Sequence, residues 1–105
     1  MKFVNLTPHA VTVMTDAGYF EFPPSGEVAR VEARTVYTGH IGGVPISATE
    51  FGDVAGLPEP SEGTAYIVSS LVAQRVPERT DVFIPNESVR DEHGRIIGCR
   101  SLGRI

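Results

Sequence analysis

Residues 66–75 have the sequence YIVSSLVAQR, in which an apolar strand pattern is followed at once by a helix start. Its first three residues are apolar and mostly β-branched, which is typical of a strand buried at the centre of a sheet. Ser69 or Ser70 can then N-cap a short helix. That helix must end before Pro77, because the residue before a proline is pushed out of the helical region. The stretch therefore predicts one buried strand that leads directly into one short helix.

The residues before this stretch predict strands rather than helices. Alternating apolar side chains place the first three strands at 3–6, 11–14 and 19–22, with a hairpin turn at 16–18. The PPSG segment at 23–26 breaks regular structure, and the β-branched residues within 28–38 favour an extended chain. Gly42-Gly43 predicts a second hairpin turn. Two glycines and two prolines at 51–60 predict an ordered loop.

The residues after the helix predict a further hairpin. A strand is predicted at 82–85, and the DEHG segment at 91–94 predicts a turn that leads into a last strand at 95–102. The sum is seven or eight short strands and one helix, so the sequence predicts a mainly β or α+β fold. We expect a small barrel- or sandwich-like antiparallel sheet. We also expect residues 1–105 to form a single domain, since no linker divides them.

The composition is that of a globular protein, with 41% hydrophobic and 21% charged residues. No apolar leader segment and no membrane-spanning stretch is recognisable, so we expect a cytoplasmic protein that does not bind membranes. Cys99 is the only cysteine, which fits a reducing compartment, and we expect it to be a core residue. The net charge of −4 argues against binding to DNA or RNA.

Arginine is concentrated in the C-terminal third of the chain, where all six basic residues of 75–105 are arginines. A planar guanidinium binds phosphate or carboxylate through two hydrogen bonds, so this third can hold an anionic ligand. The alternative is that these arginines are solvated or paired with the acidic residues between them. The candidate phosphate contacts are Arg75, Arg79, Arg90 and Arg95.

The helix start and the N-terminal strands hold the other candidate ligand-binding residues. The hydroxyls of Ser69 and Ser70, with the free backbone N–H groups there, could bind an anion, although capping alone accounts for serine at this place. Asn5 and His9 could contact a base or ribose, and Tyr66 could stack on a base. His9 could equally brace a turn, and Tyr66 could belong to the core. No spacing predicts a metal site, and no motif predicts a cofactor or a catalytic triad.

Several segments of the chain resemble one family. They are NLTPHAV at 5–11, PPSG at 23–26 with Ala29-Arg30, GLP at 56–58, YIVS at 66–69, and VRDEHGRIIG at 89–98. These segments look like a family of small hypothetical proteins from bacteriophages, prophages and bacterial genomes, and the resemblance runs nearly end to end. The resemblance carries over no site residue. It implies a phage accessory protein, a context in which host-defence inhibitors are common and one known class sequesters nucleotide immune signals.

Three hypotheses of function remain open. The first is a non-enzymatic binder that sequesters a small phosphorylated ligand, a nucleotide, in a pocket between copies of the chain, because a chain of this size gains ligand-enclosing surface by forming a homo-oligomer. If phage-encoded, it would act as an anti-defence sponge in the host cytoplasm. The second is an interaction protein that blocks a host protein or joins a phage assembly through an exposed strand edge. The third is a small nucleotide hydrolase with His9 as its acid–base group.

Overall fold

The computed structural model describes residues 1–105 and is dominated by strands, which hold 56% of the residues, whereas helix holds 6%. The predicted fold class, mainly β or α+β with one short helix, is confirmed. In chain order the elements are β1 (Lys2–Asn5), β2 (Val11–Thr15), β3 (Gly18–Phe22), β4 (Arg30–Ile41), β5 (Val44–Ala55), β6 (Thr64–Ile67), α1 (Ser70–Arg75), β7 (Val82–Arg90) and β8 (Ile96–Gly103).

Six of the strands form one curled sheet, a half-barrel, in the order β1-β6-β7-β8-β2-β3. The predicted hairpins β2–β3 and β7–β8 are antiparallel, as expected. The sheet as a whole is mixed, because β6 runs parallel to both β1 and β7, and β2 runs parallel to β8. Parallel neighbours need a crossover connection, and α1 lies in the crossover between β6 and β7.

Strand β6 lies inside the sheet and separates two apolar clusters, so the predicted central strand is confirmed. Successive side chains of an extended chain point to opposite faces. Tyr66 and Val68 therefore pack in one cluster, together with Val72 of α1. Ile67 packs in the other cluster with Cys99, which is buried as predicted.

Helix α1 begins and ends where the sequence predicts. Ser69 is its N-cap, and the side-chain oxygen of Ser69 accepts a hydrogen bond of 3.3 Å from the backbone N–H of Val72. The helix ends at Arg75, two residues before Pro77. It has six residues, and the structure contains no helix of the length and apolar character that crossing a membrane requires.

Strands β4 and β5 form a separate two-stranded sheet, which we call the arm, and we call the half-barrel with α1 the body. The turn of the arm is the predicted one. Gly42 and Gly43 have φ angles of +56° and +82°, and two successive left-handed residues are what a tight hairpin turn requires. The molecule measures 56 × 39 × 23 Å and most residues of the arm are exposed, so the chain is elongated.

The loop predicted at 51–60 is wrong in its first half, since β5 continues to Ala55. The partner strand β4 explains the difference. Val31 lies opposite Val54, and pairing along β4 keeps Gly52 and its neighbours extended despite their weak strand propensity. Local composition therefore predicted a loop where pairing with a distant strand keeps the chain extended.

Candidate functional site

The segment between β1 and β2 is held by one buried side chain, that of Asn5, which is 2% exposed. Its Nδ2 donates to the backbone carbonyls of His9 at 2.8 Å and Phe22 at 2.9 Å. Its Oδ1 accepts from the backbone N–H and the hydroxyl of Thr7, at 2.9 and 2.7 Å. Two donors and two acceptor positions are all that an asparagine amide offers. All hydrogen-bonding positions of the Asn5 side chain are therefore occupied by partners within the protein.

His9 projects from the turn that Asn5 fixes. The hydroxyl of Thr7 lies 3.0 Å from the carbonyl oxygen of His9 and shares its single proton between this oxygen and Oδ1 of Asn5, so the backbone at His9 is held from two sides. The residue itself is exposed, and it lines a groove of about 430 Å³ between this turn and the hairpin β7–β8. The ten lining residues are His9, Ala10, Val11, Thr12, Pro85, Ser88, Ile96, Ile97, Gly98 and Cys99.

One wall of this groove depends on a close approach of β2 to β8. These strands pair at a single position, Val13 opposite Cys99, and the thiol of Cys99 contacts the carbonyl oxygen of Thr12 at 3.5 Å. Gly98 makes the approach possible. A Cβ at Gly98 would lie 2.9 Å from the carbonyl oxygen of Thr12 and 3.0 Å from the sulfur of Met14, closer than van der Waals contact allows.

The apolar wall of the groove lies next to the end of the hairpin β7–β8 that bears two arginines, neither of which is among the lining residues. Arg90 is the register partner of Ile96, and Arg95 directly precedes Ile96, so both arginines belong to the end of the hairpin that borders the groove. Arg90 donates to the carbonyl oxygen of Gly94 at 2.7 Å, whereas the guanidinium of Arg95 has no partner within the chain. Arg95 is thus free to bind an anion.

The other sequence-predicted site residues lie outside this groove. Tyr66 is buried, and its hydroxyl contacts the carbonyl oxygen of Glu59 at 3.4 Å. Ser69 caps α1, and the hydroxyl of Ser70 accepts from Gln74 at 3.1 Å. Arg75 is exposed in the last turn of α1.

Arg79 is held in a partly buried ion pair. Its Nε and one terminal nitrogen donate to the two carboxylate oxygens of Asp81 at 2.8 and 2.9 Å, and it also donates to the carbonyl oxygen of Pro58 at 2.9 Å. Both side chains are 16% exposed. The hydrogen bond from Arg79 lowers the pKa of Asp81 below its usual value, against the opposing effect of burial. Arg79 is therefore engaged in joining β7 to the loop before β6.

The residues that line the groove offer both hydrogen-bonding groups and apolar surface. They offer an imidazole, two hydroxyls and an apolar wall, and they include no carboxylate that could act with His9. No group of three or more His, Cys, Asp or Glu side chains in the structure is arranged to hold a metal ion. Such a surface can hydrogen-bond a ligand and pack against its apolar part.

The sequence pointed to His9 and to the neighbouring Arg90 and Arg95, but not to the other residues that line the groove. Ile96 and Ile97 looked like ordinary strand positions and Ser88 lay outside the predicted strands, because their proximity to His9 depends on the parallel pairing of β2 with β8. One signal was present in the sequence. Two adjacent isoleucines placed directly after a turn leave one of them on the exposed face of a two-stranded hairpin.

The comparisons with known proteins leave the chain without a relative on which to base a function. No family model matches it, and neither a curated protein nor a solved structure matches it significantly. The resemblance to small phage proteins is therefore still a prediction. What the fold and the groove define is a strand-rich half-barrel that carries a long β arm and an open, partly apolar groove.

Proposed function

We propose that the protein is a non-enzymatic binder that sequesters a small phosphorylated ligand, a nucleotide, in the His9 groove, and that a second copy of the chain closes the site. One observation carries the proposal. An apolar wall, the imidazole of His9 and the hydroxyl of Ser88 lie beside the hairpin end that bears Arg90 and Arg95. A base can pack on the wall while a guanidinium holds the phosphate.

The size of the groove supports a ligand of this class. Its volume of about 430 Å³ lies within the range of roughly 300 to 1,000 Å³ that is usual for small-molecule sites. Such sites enclose most of the ligand surface, whereas this groove is open to solvent along Ile96 and Ile97, which are 60% and 47% exposed. An additional wall is needed, and a second copy of the chain can supply it.

Sequestration, rather than turnover, is the role we assign to the site. His9 lacks a carboxylate partner in the groove, so an acid–base reaction would have only one titratable group beside the thiol of Cys99. In the phage context that the sequence resemblance implies, the bound nucleotide would be an immune signal of the host cytoplasm, and the protein would counter defence by lowering its free concentration.

The test begins with native mass spectrometry of protein purified from cells, followed by thermal-shift measurements with a panel of nucleotides. We expect at least one nucleotide to raise the melting temperature and to be recovered chemically unchanged after incubation. Stabilisation of about 2.7 kcal/mol is expected when the ligand is present at one hundred times its Kd. If no nucleotide stabilises the protein, or if the nucleotide is recovered cleaved, the proposal is wrong.

The arm favours one second candidate function, that of an inhibitor or assembly protein that binds another protein. The outer edges of β4 and β5 are unpaired over 12 residues each, and an unpaired strand edge can accept a strand from a partner. Purified protein that stays free of small molecules, is stabilised by no nucleotide and associates stoichiometrically with a host or virion protein through the arm would favour this function.

A further inference from the structure

One face of the arm is aliphatic from its tip to its middle. Residues that lie opposite each other in an antiparallel pair share a face, and the face alternates along each strand. Val44, Ile46 and Ala48 of β5 therefore share one face. Their neighbours on β4 are Ile41, opposite Val44, and Val36, opposite Ala48. We call these five residues the aliphatic face.

A bulge in β4 creates this face. The register shifts between Tyr37 and Gly39, so one extra residue of β4 is inserted there. Without the shift, Ile41 would point to the opposite side from Val36, because the two residues are an odd number of positions apart. With the register shift, the side chains of Ile41 and Val36 lie on the same side of the arm.

The aliphatic face is uncovered in the single chain. Ile41, Val44 and Ile46 are 72%, 60% and 37% exposed. The opposite face is mixed, since it carries Thr35, Ser47 and Thr49 together with the exposed aromatic side chains of Tyr37 and Phe51. The arm therefore has one aliphatic face and one face on which hydroxyl and aromatic groups alternate. Antiparallel sheets with this pattern bury the apolar face, and an isolated two-stranded hairpin is only marginally stable in water.

The whole chain exposes more surface than a folded monomer of its mass. A monomer of 11.3 kDa exposes about 5,700 Å², whereas this chain exposes 7300 Å², an excess of about 1,600 Å². Its radius of gyration is 16.9 Å, against about 13 Å for a compact domain of 105 residues. An excess of about 1,600 Å² per copy corresponds to about 3,200 Å² in a pair, which is within the range of obligate homodimers.

We infer that the arm of one copy lays its aliphatic face across the His9 groove of a second copy, and that the second copy does the same in return. This inference rests on the proposed function in one respect, since it names the wall that closes the ligand site. The aliphatic side chains of the partner would lie over the open side of the groove, next to Ile96 and Ile97. The ligand would then be enclosed between two chains.

The area and the charges favour this arrangement over stacking of two arms on each other. The aliphatic face spans about five residues on each of two strands, so it measures roughly 17 by 10 Å, and stacking of two arms would cover this face but leave Ile96 and Ile97 of the groove exposed. Reciprocal exchange buries an arm and a groove in each copy. Neither the aliphatic face nor the groove would place an unpaired carboxylate in the contact. Glu50, at the base of the aliphatic face, is paired with Arg34 at 2.7 Å, and no carboxylate lines the groove.

The first experiment measures the mass of the ligand-free protein by sedimentation velocity and native mass spectrometry. We expect an even number of chains for the wild type, and the single-chain mass of 11.3 kDa for Ile46→Asp and Val44→Asp. The matched control is Ser47→Asp, which adds the same charge to the opposite face of the same strand and should leave the assembly intact. A monomeric wild type, or equal effects on both faces, overturns the inference.

The second experiment locates the arm by disulfide formation between two single variants in a Cys99→Ala background. A mixture of Ile46→Cys chains and Ile97→Cys chains should form the mixed disulfide at least tenfold faster than a mixture of Ser47→Cys and Ile97→Cys chains. Preferential Ile46→Cys homodimers would show arm-on-arm stacking and overturn the inference. Neither experiment contains a nucleotide, so both test the assembly alone. Nucleotide binding can therefore fail its own test while the assembly is confirmed, and the assembly can fail while nucleotide binding is confirmed.

Discussion

The side-chain amide of Asn5 donates to the carbonyl oxygen of Phe22 at 2.9 Å, and this bond joins the two edges of the six-stranded sheet. Asn5 ends β1, and Phe22 ends β3. The rings of Phe3 and Phe22 lie 5.0 Å apart beside the bond, so the edges also meet through apolar contact. The curl of the half-barrel is therefore fixed at the same place as the turn that presents His9.

Replacing Asn5 should destabilise the protein strongly. Asn5→Ala removes the side-chain partner of the His9 and Phe22 carbonyl groups and of the N–H of Thr7, and a group left unsatisfied where it is shielded from water costs about 1 to 3 kcal/mol. We expect a loss of roughly 2 to 4 kcal/mol in the free energy of unfolding, measured in urea. The exposed Ser25→Ala is the control, with a loss below about 1 kcal/mol. A loss for Asn5→Ala no larger than that of the control would contradict the structural role.

The ion pair between Arg79 and Asp81 should make stability depend on acidity. The pKa of Asp81 is lower in the folded chain than in the unfolded chain, chiefly because of the hydrogen bond from Arg79. The contribution of ionised Asp81 to folding stability is therefore complete above its pKa in the unfolded chain, about 3.9. This contribution is lost as the pH falls towards the lower pKa of Asp81 in the folded chain. We expect Asp81→Asn to be destabilised at pH 7 and to show a shallower decline of stability below pH 4.

The measurement for this pair is urea unfolding from pH 7 to pH 2, with Glu78→Gln as the control for a nearby carboxylate that has no ion-pair partner within the chain. A pH profile of Asp81→Asn parallel to that of the wild type would show that the pair does not carry the acid dependence. Arg79→Gln should reproduce the effect, because it removes the same hydrogen bonds from the other side.

Gly98 should tolerate no side chain. In Gly98→Ala the new methyl group would lie 2.9 Å from the carbonyl oxygen of Thr12, so β2 must move away from β8 at the wall of the groove. We expect a loss of about 1 to 3 kcal/mol in stability and weaker nucleotide binding. Gly52→Ala is the matched control, because its Cβ would meet its nearest neighbour at an ordinary 3.4 Å. Equal stability of the two variants would argue against the tight approach of the strands.

Arg95 should contribute to ligand affinity without contributing to stability. Its guanidinium has no partner within the chain, so Arg95→Gln should leave the melting temperature of the free protein unchanged and raise the Kd for a nucleotide about tenfold or more, as expected for the loss of a charge-assisted hydrogen bond. Arg75→Gln removes the same charge from α1, away from the groove. Isothermal titration that shows equal losses for both variants would indicate a general charge effect instead of a phosphate contact.

Replacing His9 distinguishes a protein that only binds a nucleotide from one that cleaves it. His9→Ala should weaken nucleotide affinity by about 1 kcal/mol, the typical value of one hydrogen bond, while the nucleotide stays intact with both proteins. Chromatography of the nucleotide after long incubation provides the measurement. Cleavage by the wild type that disappears in His9→Ala would instead establish the hydrolase that the sequence left open.

Local signals predicted the strands and turns well, because they depend on neighbouring residues. The Gly42-Gly43 turn and the Ser69 cap follow from backbone conformation and from one side-chain hydrogen bond, both of which are encoded within a few positions. The parallel pairing of Val13 with Cys99 has no such signal. The groove rests on that pairing, which is why its apolar wall could not be predicted.

The candidate site residues also combine features that are visible in the sequence with long-range contacts that are not. Arg79 and Asp81 are two positions apart, and their opposite charges were visible in the sequence, but the two parallel hydrogen bonds that join them were not. Asn5 looked like a polar residue free to contact a ligand, whereas its four partners come from Thr7, His9 and the distant Phe22. Polar residues at strand ends are ambiguous in this way, since the same groups serve a ligand or the protein's own backbone.

The order of the sheet also determines how the chain can fold. Strand β1 pairs with β6, which begins at Thr64, and Thr12 of β2 meets Cys99 87 residues later in the chain. Neither contact can form until most of the polypeptide has been synthesised, and such distant pairings are slow to form. The arm needs only residues 30–55, so it can close first. Newly made chains would then display the aliphatic face before the groove that receives it exists, so the reciprocal contact between two copies can form only after both half-barrels are complete.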